Sequence, residues 1–359
     1  MGAAMQTEHF QQAAGPRLSR RRFALALPLL GALPSLARAA SGAPAPAQPL
    51  LRASRVLMGT RVDMALPAGQ GMDEAALRHA MAQAFAEMQR LEALMTRYRP
   101  DSDVARIGAA AGRRAVPVAP ETLAVLQTAQ RLYAASGGAF DATVGALRGW
   151  HFEPGHEAAP TAAQIAQALA LVDGGALVLD ARAGTAYLAH PGMALDLGGV
   201  AKLPILQAGM RVLAAAGVCD ALLNGGGDVL AAGRQHGRAW RVGVRDPQRP
   251  QQLLGVLALA GQAVVASSGD YERGFTALGR RLHHVLDPHT GWPTQGVPGV
   301  ALLARNVDQV NGWGTALMVQ GAARAADWHG RQAGVELLAA SADGTRWLSP
   351  GMAAALAIS

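Results

Sequence analysis

Apolar positions recur along this chain at helical spacing in several separate stretches, and as continuous or alternating runs in others. Across residues 73–96, Leu77, Met81, Ala84, Met88, Leu91 and Leu94 share one side of a 3.6-residue repeat. Asp73 stands where a helix start needs a side-chain acceptor, so the pattern predicts a long core helix. Shorter helical patterns cover residues 120–135, 161–171, 307–319 and 322–333, and another runs from the glycine pair Gly198 and Gly199 to Ala216. Strand-like runs cover residues 52–66, interrupted at Met58, Gly59 and Thr60, then 176–179, 185–189, 221–231, 240–245 and 253–266, with a short strand pair closing the chain. Strands grouped between helices without regular alternation predict an α+β fold, and there is no internal repeat.

Composition narrows the function. The chain has 359 residues, half of them apolar, enough for one large domain or two lobes. Aromatic residues make up only 4%, and the net charge of +7 is spread rather than gathered in blocks. There is then no stacking platform and no basic stripe, which argues against nucleic acid as a partner. Almost all positive charge is arginine, as a GC-rich genome would give, and Lys202 is the sole lysine.

The first residues read as an address. Ser19, Arg20, Arg21, Arg22, Phe23, Ala24 and Leu25 form a twin-arginine pattern, followed by an apolar run over 23–36 and small residues at Ala37 and Ala39. The run is too short for a stable membrane span. Residues 1–39 are expected to be a twin-arginine signal peptide, 40–50 a flexible leader and 51–359 the functional domain, working in the periplasm. The single cysteine, Cys219, allows no disulfide within the chain.

The densest chemistry lies at residues 283–291, where His283, His284, Asp287, Pro288, Thr290 and Gly291 serve no helix or strand in that order. An imidazole in a tight polar loop suits a titratable base beside a phosphorylated ligand. Adjacent histidines point apart in a strand and no cysteine supports them, which argues against zinc. Asp196, Gly198, Gly199 and Lys202 form a second group at a strand-to-helix junction. Glycines there serve ordinary turns, but they also let a phosphate approach backbone amides at a helix start, and the lysine adds a full charge. Residues 224–228, 140–145, 98–103 and 267–273 make further polar loops that each read equally well as plain turns.

Taken in order, Met58-Gly59-Thr60, the 98–103 loop, Phe140-Asp141-Ala142-Thr143-Val144-Gly145, the 195–202 and 224–228 stretches, the 268–273 loop and the 284–291 loop resemble the ApbE family of FAD:protein FMN transferases over about residues 57–317. The resemblance implies an α+β domain of mixed sheets flanked by helices, with FAD and magnesium in a cleft between lobes. It implies cleavage of FAD, release of AMP, and attachment of FMN through a phosphoester to a threonine of a target redox protein associated with the membrane. Met58, Tyr98, Phe140, Asp141, Asp196, Lys202 and Val285 are implied to contact FAD. Gly199, Asn311 and Thr315 are implied to hold Mg2+, and His284 to act as catalytic base.

Two positions depart from the family pattern. Gln207 stands where an aspartate is usual one turn after the lysine, and Asn311 replaces the aspartate that opens the metal motif. An amide oxygen ligates magnesium without supplying charge, so metal affinity is expected to fall. These departures keep a second reading open: an FAD-binding carrier, chaperone or scaffold of the same family without transfer activity.

Overall fold

The computed structural model describes residues 49–277 and 279–357; the expected signal peptide and nearly all of the leader lie outside them. An eight-stranded sheet organises the domain. Its strands, in spatial order, are Leu50–Leu57, Thr60–Pro67, Ala221–Gly225, Asp228–Ala232, Ala263–Gly269, Gly299–Ala304, Glu336–Ala340 and Arg346–Leu348, which is also their order in the chain. Neighbouring strands pair antiparallel throughout, so parallel character among the described residues is confined to one isolated bridge, Val144 to Ala194.

Side chains alternate across a strand, and here both faces are buried. Leu223, Leu230, Val264 and Leu302 join the large core under the helices Glu74–Met95 and Lys202–Ala215, whereas their neighbours Leu222, Val229, Val265 and Ala301 join a second core. That second core is closed by a three-stranded sheet of Trp240–Arg245, Leu253–Leu259 and Leu356–Ala357. Two-sided burial is why the central strands read as unbroken apolar runs. The long helix starts where expected, with Asp73 Oδ1 accepting from the Ala76 amide at 2.7 Å. Among the described residues no helix is long and apolar enough to cross a membrane.

Three expectations change. The run at 253–266 is two strands in different sheets, parted at Gly261, whose φ of 72° lets the chain cross between them. The helix expected over 307–319 is two helices, Val307–Val310 and Trp313–Gln320. Asn311 leaves the helical conformation and Gly312 follows with φ 76°, at a point where a Cβ would lie 2.3 Å from Leu132 Cδ2, so only glycine fits. The 98–103 loop runs straight into an unforeseen helix, Asp103–Ala109, capped by Ser102 Oγ.

Candidate functional site

Loops from distant parts of the chain meet in a ring of contacts. The hairpin turn at Met58 and Gly59 has φ of 55° and 66°, the left-handed pair that a tight two-residue turn requires. For methionine that conformation is strained, and the Met58 amide is held by Glu92 Oε1 at 2.6 Å. A Cβ on Gly59 would sit 3.7 Å from the Arg273 guanidinium. The backbone carbonyl of Arg273 in turn holds His284.

Lys202 opens the helix after the glycine pair, and its Nζ lies 3.1 Å from Asp228 Oδ2. The other oxygen of Asp228 accepts from the Ser267 amide at 2.9 Å. Lys202 also lies within electrostatic reach of the His284 ring. On the far side of the same loop, Asp196 accepts from the Gly198 amide at 2.8 Å and pairs with Arg97 at 3.2 Å. Tyr98, beside Arg97, is 69% exposed.

The two histidines differ in what their ring nitrogens do. His283 is buried, with Nε2 donating to the Thr294 carbonyl at 2.8 Å and Nδ1 accepting from the Val285 amide at 3.4 Å. It is a fully used structural imidazole. His284 is half-buried, and its Nδ1 lies 3.3 Å from the Arg273 carbonyl. A carbonyl only accepts, so Nδ1 carries the proton and Nε2 presents its lone pair. Burial, with the Arg273 and Lys202 charges nearby, pushes the His284 pKa down to about 3, which keeps the ring neutral.

The loop behind His284 is stapled from several sides. Asp287 accepts from the His289 amide at 2.9 Å and from the Thr290 hydroxyl at 3.1 Å, while Trp150 Nε1 donates to the Gly291 carbonyl at 2.9 Å. Trp150 stacks on Phe152 at 5.8 Å and meets Trp292 edge-on at 5.4 Å. In a chain poor in aromatics, this small cluster forms its own core beneath the loop.

Gly199 and Thr315 lie close together, since a Cβ on Gly199 would lie 3.2 Å from Thr315 Oγ1 and 3.1 Å from Phe140 Cε2. A Cβ on Gly312 would lie 3.6 Å from the Gly199 carbonyl oxygen, so two glycines keep this corner open. Asn311 is buried, and its Nδ2 donates to the Val200 carbonyl at 2.8 Å. It therefore does not share a helix face with Thr315: the helix breaks between them. Among the described residues no group of three or more His, Cys, Asp or Glu side chains could hold a metal. The oxygens at this corner are of the hard type magnesium takes, but none carries charge.

Three expected FAD contacts are buried. Asp141 is buried and accepts from the Thr143 amide at 2.7 Å, the Thr143 hydroxyl at 2.6 Å and the Gly174 amide at 2.8 Å, so its carboxylate pins the 140–145 loop. Val285 is a core residue whose amide and carbonyl are both engaged. Phe140 is buried and forms the wall beside Gly199. Gln207 turns to Arg211 one helical turn on, with its Oε1 accepting at 2.8 Å. Sequence reading missed Arg97, Glu92, the Arg273 carbonyl and Trp150; arginine is too common here, and a backbone carbonyl or a packed indole leaves no pattern.

Comparison with known proteins identifies the family. The pattern of the ApbE family matches residues 58–339. An FAD:protein FMN transferase of Klebsiella pneumoniae (strain 342) is 36% identical over 242 residues, covering 67% of this chain and 72% of that protein. One from Rhodobacter capsulatus is 33% identical over 296 residues, covering 80% of this chain and 55% of that longer protein. The crystal structure of the ApbE protein from Thermotoga maritima superposes with a TM-score of 0.77 at 26% identity, over 86% of this chain and 99% of the other. Matched over most of its length in sequence and in fold, the chain belongs to the ApbE family.

Proposed function

We propose that this chain is an FAD:protein FMN transferase, acting on a threonine of a partner protein. The observation that carries the reading is His284: a neutral imidazole whose Nδ1 is held by the Arg273 carbonyl, which leaves Nε2 with its lone pair, and whose ring feels the charge of the lone lysine. The threonine hydroxyl attacks the phosphorus of the FMN half of FAD and gives its proton to His284 Nε2. The new bond is a phosphoester, the bond to the AMP phosphate breaks, and AMP leaves. A base held near pKa 3 is weak, but the negative pyrophosphate brought beside it raises its proton affinity as the reaction begins.

Lys202, at the helix start, meets the pyrophosphate with its ammonium. Tyr98, Asp196 and the Met58 turn line the approach for the rest of FAD, with Phe140 as the wall behind Gly199. The Gly199 carbonyl, the Thr315 hydroxyl and the Asn311 amide oxygen would hold Mg2+. When bound, magnesium neutralises phosphate charge in the transition state. With no carboxylate at that corner, the metal's charge is balanced by the phosphates of FAD rather than by the protein. The twin-arginine stretch at residues 19–25 supports work in the periplasm, on a membrane-associated redox subunit as target.

The test is direct. Purified protein, FAD, magnesium and a peptide bearing the acceptor threonine should yield AMP and a covalently flavinylated peptide in equal amounts. FAD bound tightly with no AMP formed would select the carrier reading, which rests on the uncharged amides of Gln207 and Asn311. No FAD binding would reject both.

A further inference from the structure

Arg97 follows the long helix directly and reaches two groups at once. Its guanidinium lies 5.0 Å from the centroid of the Tyr98 ring, donates to the Tyr98 hydroxyl at 3.2 Å, and pairs with Asp196 Oδ2 at 3.2 Å. Asp196 is further fixed by the Gly198 amide. A surface ion pair of this kind adds little to stability. Its geometric effect is larger, because it ties the loop after the long helix to the glycine loop that opens the lysine helix.

Tyr98 is an aromatic ring mostly open to solvent, a placement that costs apolar exposure and loses ring orientation unless something holds it. A planar guanidinium over one face holds it and leaves the other face free. We infer that Arg97 is a positioning residue that sets Tyr98 and Asp196 for FAD, so that a stacking platform and a carboxylate are oriented before the flavin arrives. The inference rests on the transferase reading of the site. It separates Arg97 from an ordinary surface arginine by its two simultaneous partners, which a lysine cannot serve together: an ammonium can pair with Asp196 but offers no plane to stack.

FAD affinity of the whole protein, read from flavin fluorescence, tests this. Arg97→Ala should weaken FAD binding about tenfold, a loss in the range of a partly desolvated cation–π contact with its orientation. Tyr98→Ala should weaken it comparably, and the double variant should fall short of the product of the two, because one residue acts through the other. Arg97→Lys, which keeps the charge, should recover only part of the affinity. Thermal midpoints should stay close to the parent's, which distinguishes positioning from a general loss of fold. Equal FAD affinity in parent and Arg97→Ala, two effects that multiply fully, or complete recovery in Arg97→Lys would overturn the inference. Failure of the parent protein to bind FAD would overturn the transferase reading, and this inference with it.

Discussion

The corner around His284 and the corner around Gly199 and Thr315 are built on opposite plans. Around His284, each polar group is already placed by the protein: His283 locks onto Thr294 and Val285, Arg273 fixes the tautomer, and an aromatic cluster backs the loop. Around Gly199 and Thr315 the protein provides space and neutral oxygens, and Asn311 spends its amide hydrogen on Val200. The first corner is preorganised without ligand, as catalytic groups need to be. The second leaves space and uncharged oxygens. Catalysis should therefore be sensitive to single changes at the first corner, and to solution conditions at the second.

The largest effect should come from His284→Ala, which should lower AMP release by roughly 100-fold or more while FAD affinity stays near that of the parent, as for loss of a general base. A variant with unimpaired turnover would remove His284 from the chemistry. His283→Ala should act instead on folding, costing about 1–3 kcal/mol for the Val285 amide and Thr294 carbonyl left unpaired. Chemical denaturation measures that directly, and an unchanged midpoint would erase the distinction between the neighbours.

At the other corner, Asn311→Asp should have two faces. Without magnesium the new carboxylate confronts the Val200 carbonyl in place of a hydrogen bond, at a cost of about 1–3 kcal/mol. With magnesium the loss should be recovered, and transfer at limiting metal should rise because hard cations gain from charged oxygen. Thermal melts with and without magnesium would show it, and melts that shift equally in both conditions would mean that no metal sits there.

A further effect concerns pH. His284 binds its proton at about 3 in the folded protein against an ordinary 6.5, so between those values the unfolded chain holds more protons. Its contribution to stability is present above about 6.5 and is lost as pH falls toward 3. Asp270 works in the opposite sense: burial raises it from 3.8 to about 6, so its contribution is present below 3.8 and is lost as pH rises through 6. His284→Ala should leave the Asp270 trend exposed, with stability falling between pH 4 and 6 relative to the parent's own profile. Parallel profiles in denaturation across that window would show that His284 is not held neutral by the fold.

Much of this was readable from residue order. The long helix, its Asp73 cap and the strand run at 240–245 follow from periodicity alone, because burial on one side writes a repeat into the sequence. The break at Asn311 and Gly312 was hidden, since the apolar spacing runs on past it while Asn311 turns extended and Gly312 takes a left-handed φ. The site divides the same way. The motif residues carry names that stand out, but whether a carboxylate meets ligand or backbone depends on three-dimensional partners. Asp141 and Asp196 look equivalent in sequence; one is spent on Thr143 and Gly174, and the other faces Arg97 at the surface.

The pairing of Lys202 with Asp228 has a practical side. Apart from the amino terminus, this chain offers a single amine to an acylating reagent, and it sits at the start of the helix proposed to receive a diphosphate. It also offers a single thiol, the exposed Cys219. Two orthogonal labelling chemistries are thus available with no engineering. The rate at which the amine is blocked, read by mass at one tryptic-resistant position, becomes a footprint of ligand occupancy, while a dye on the thiol follows the same molecules independently.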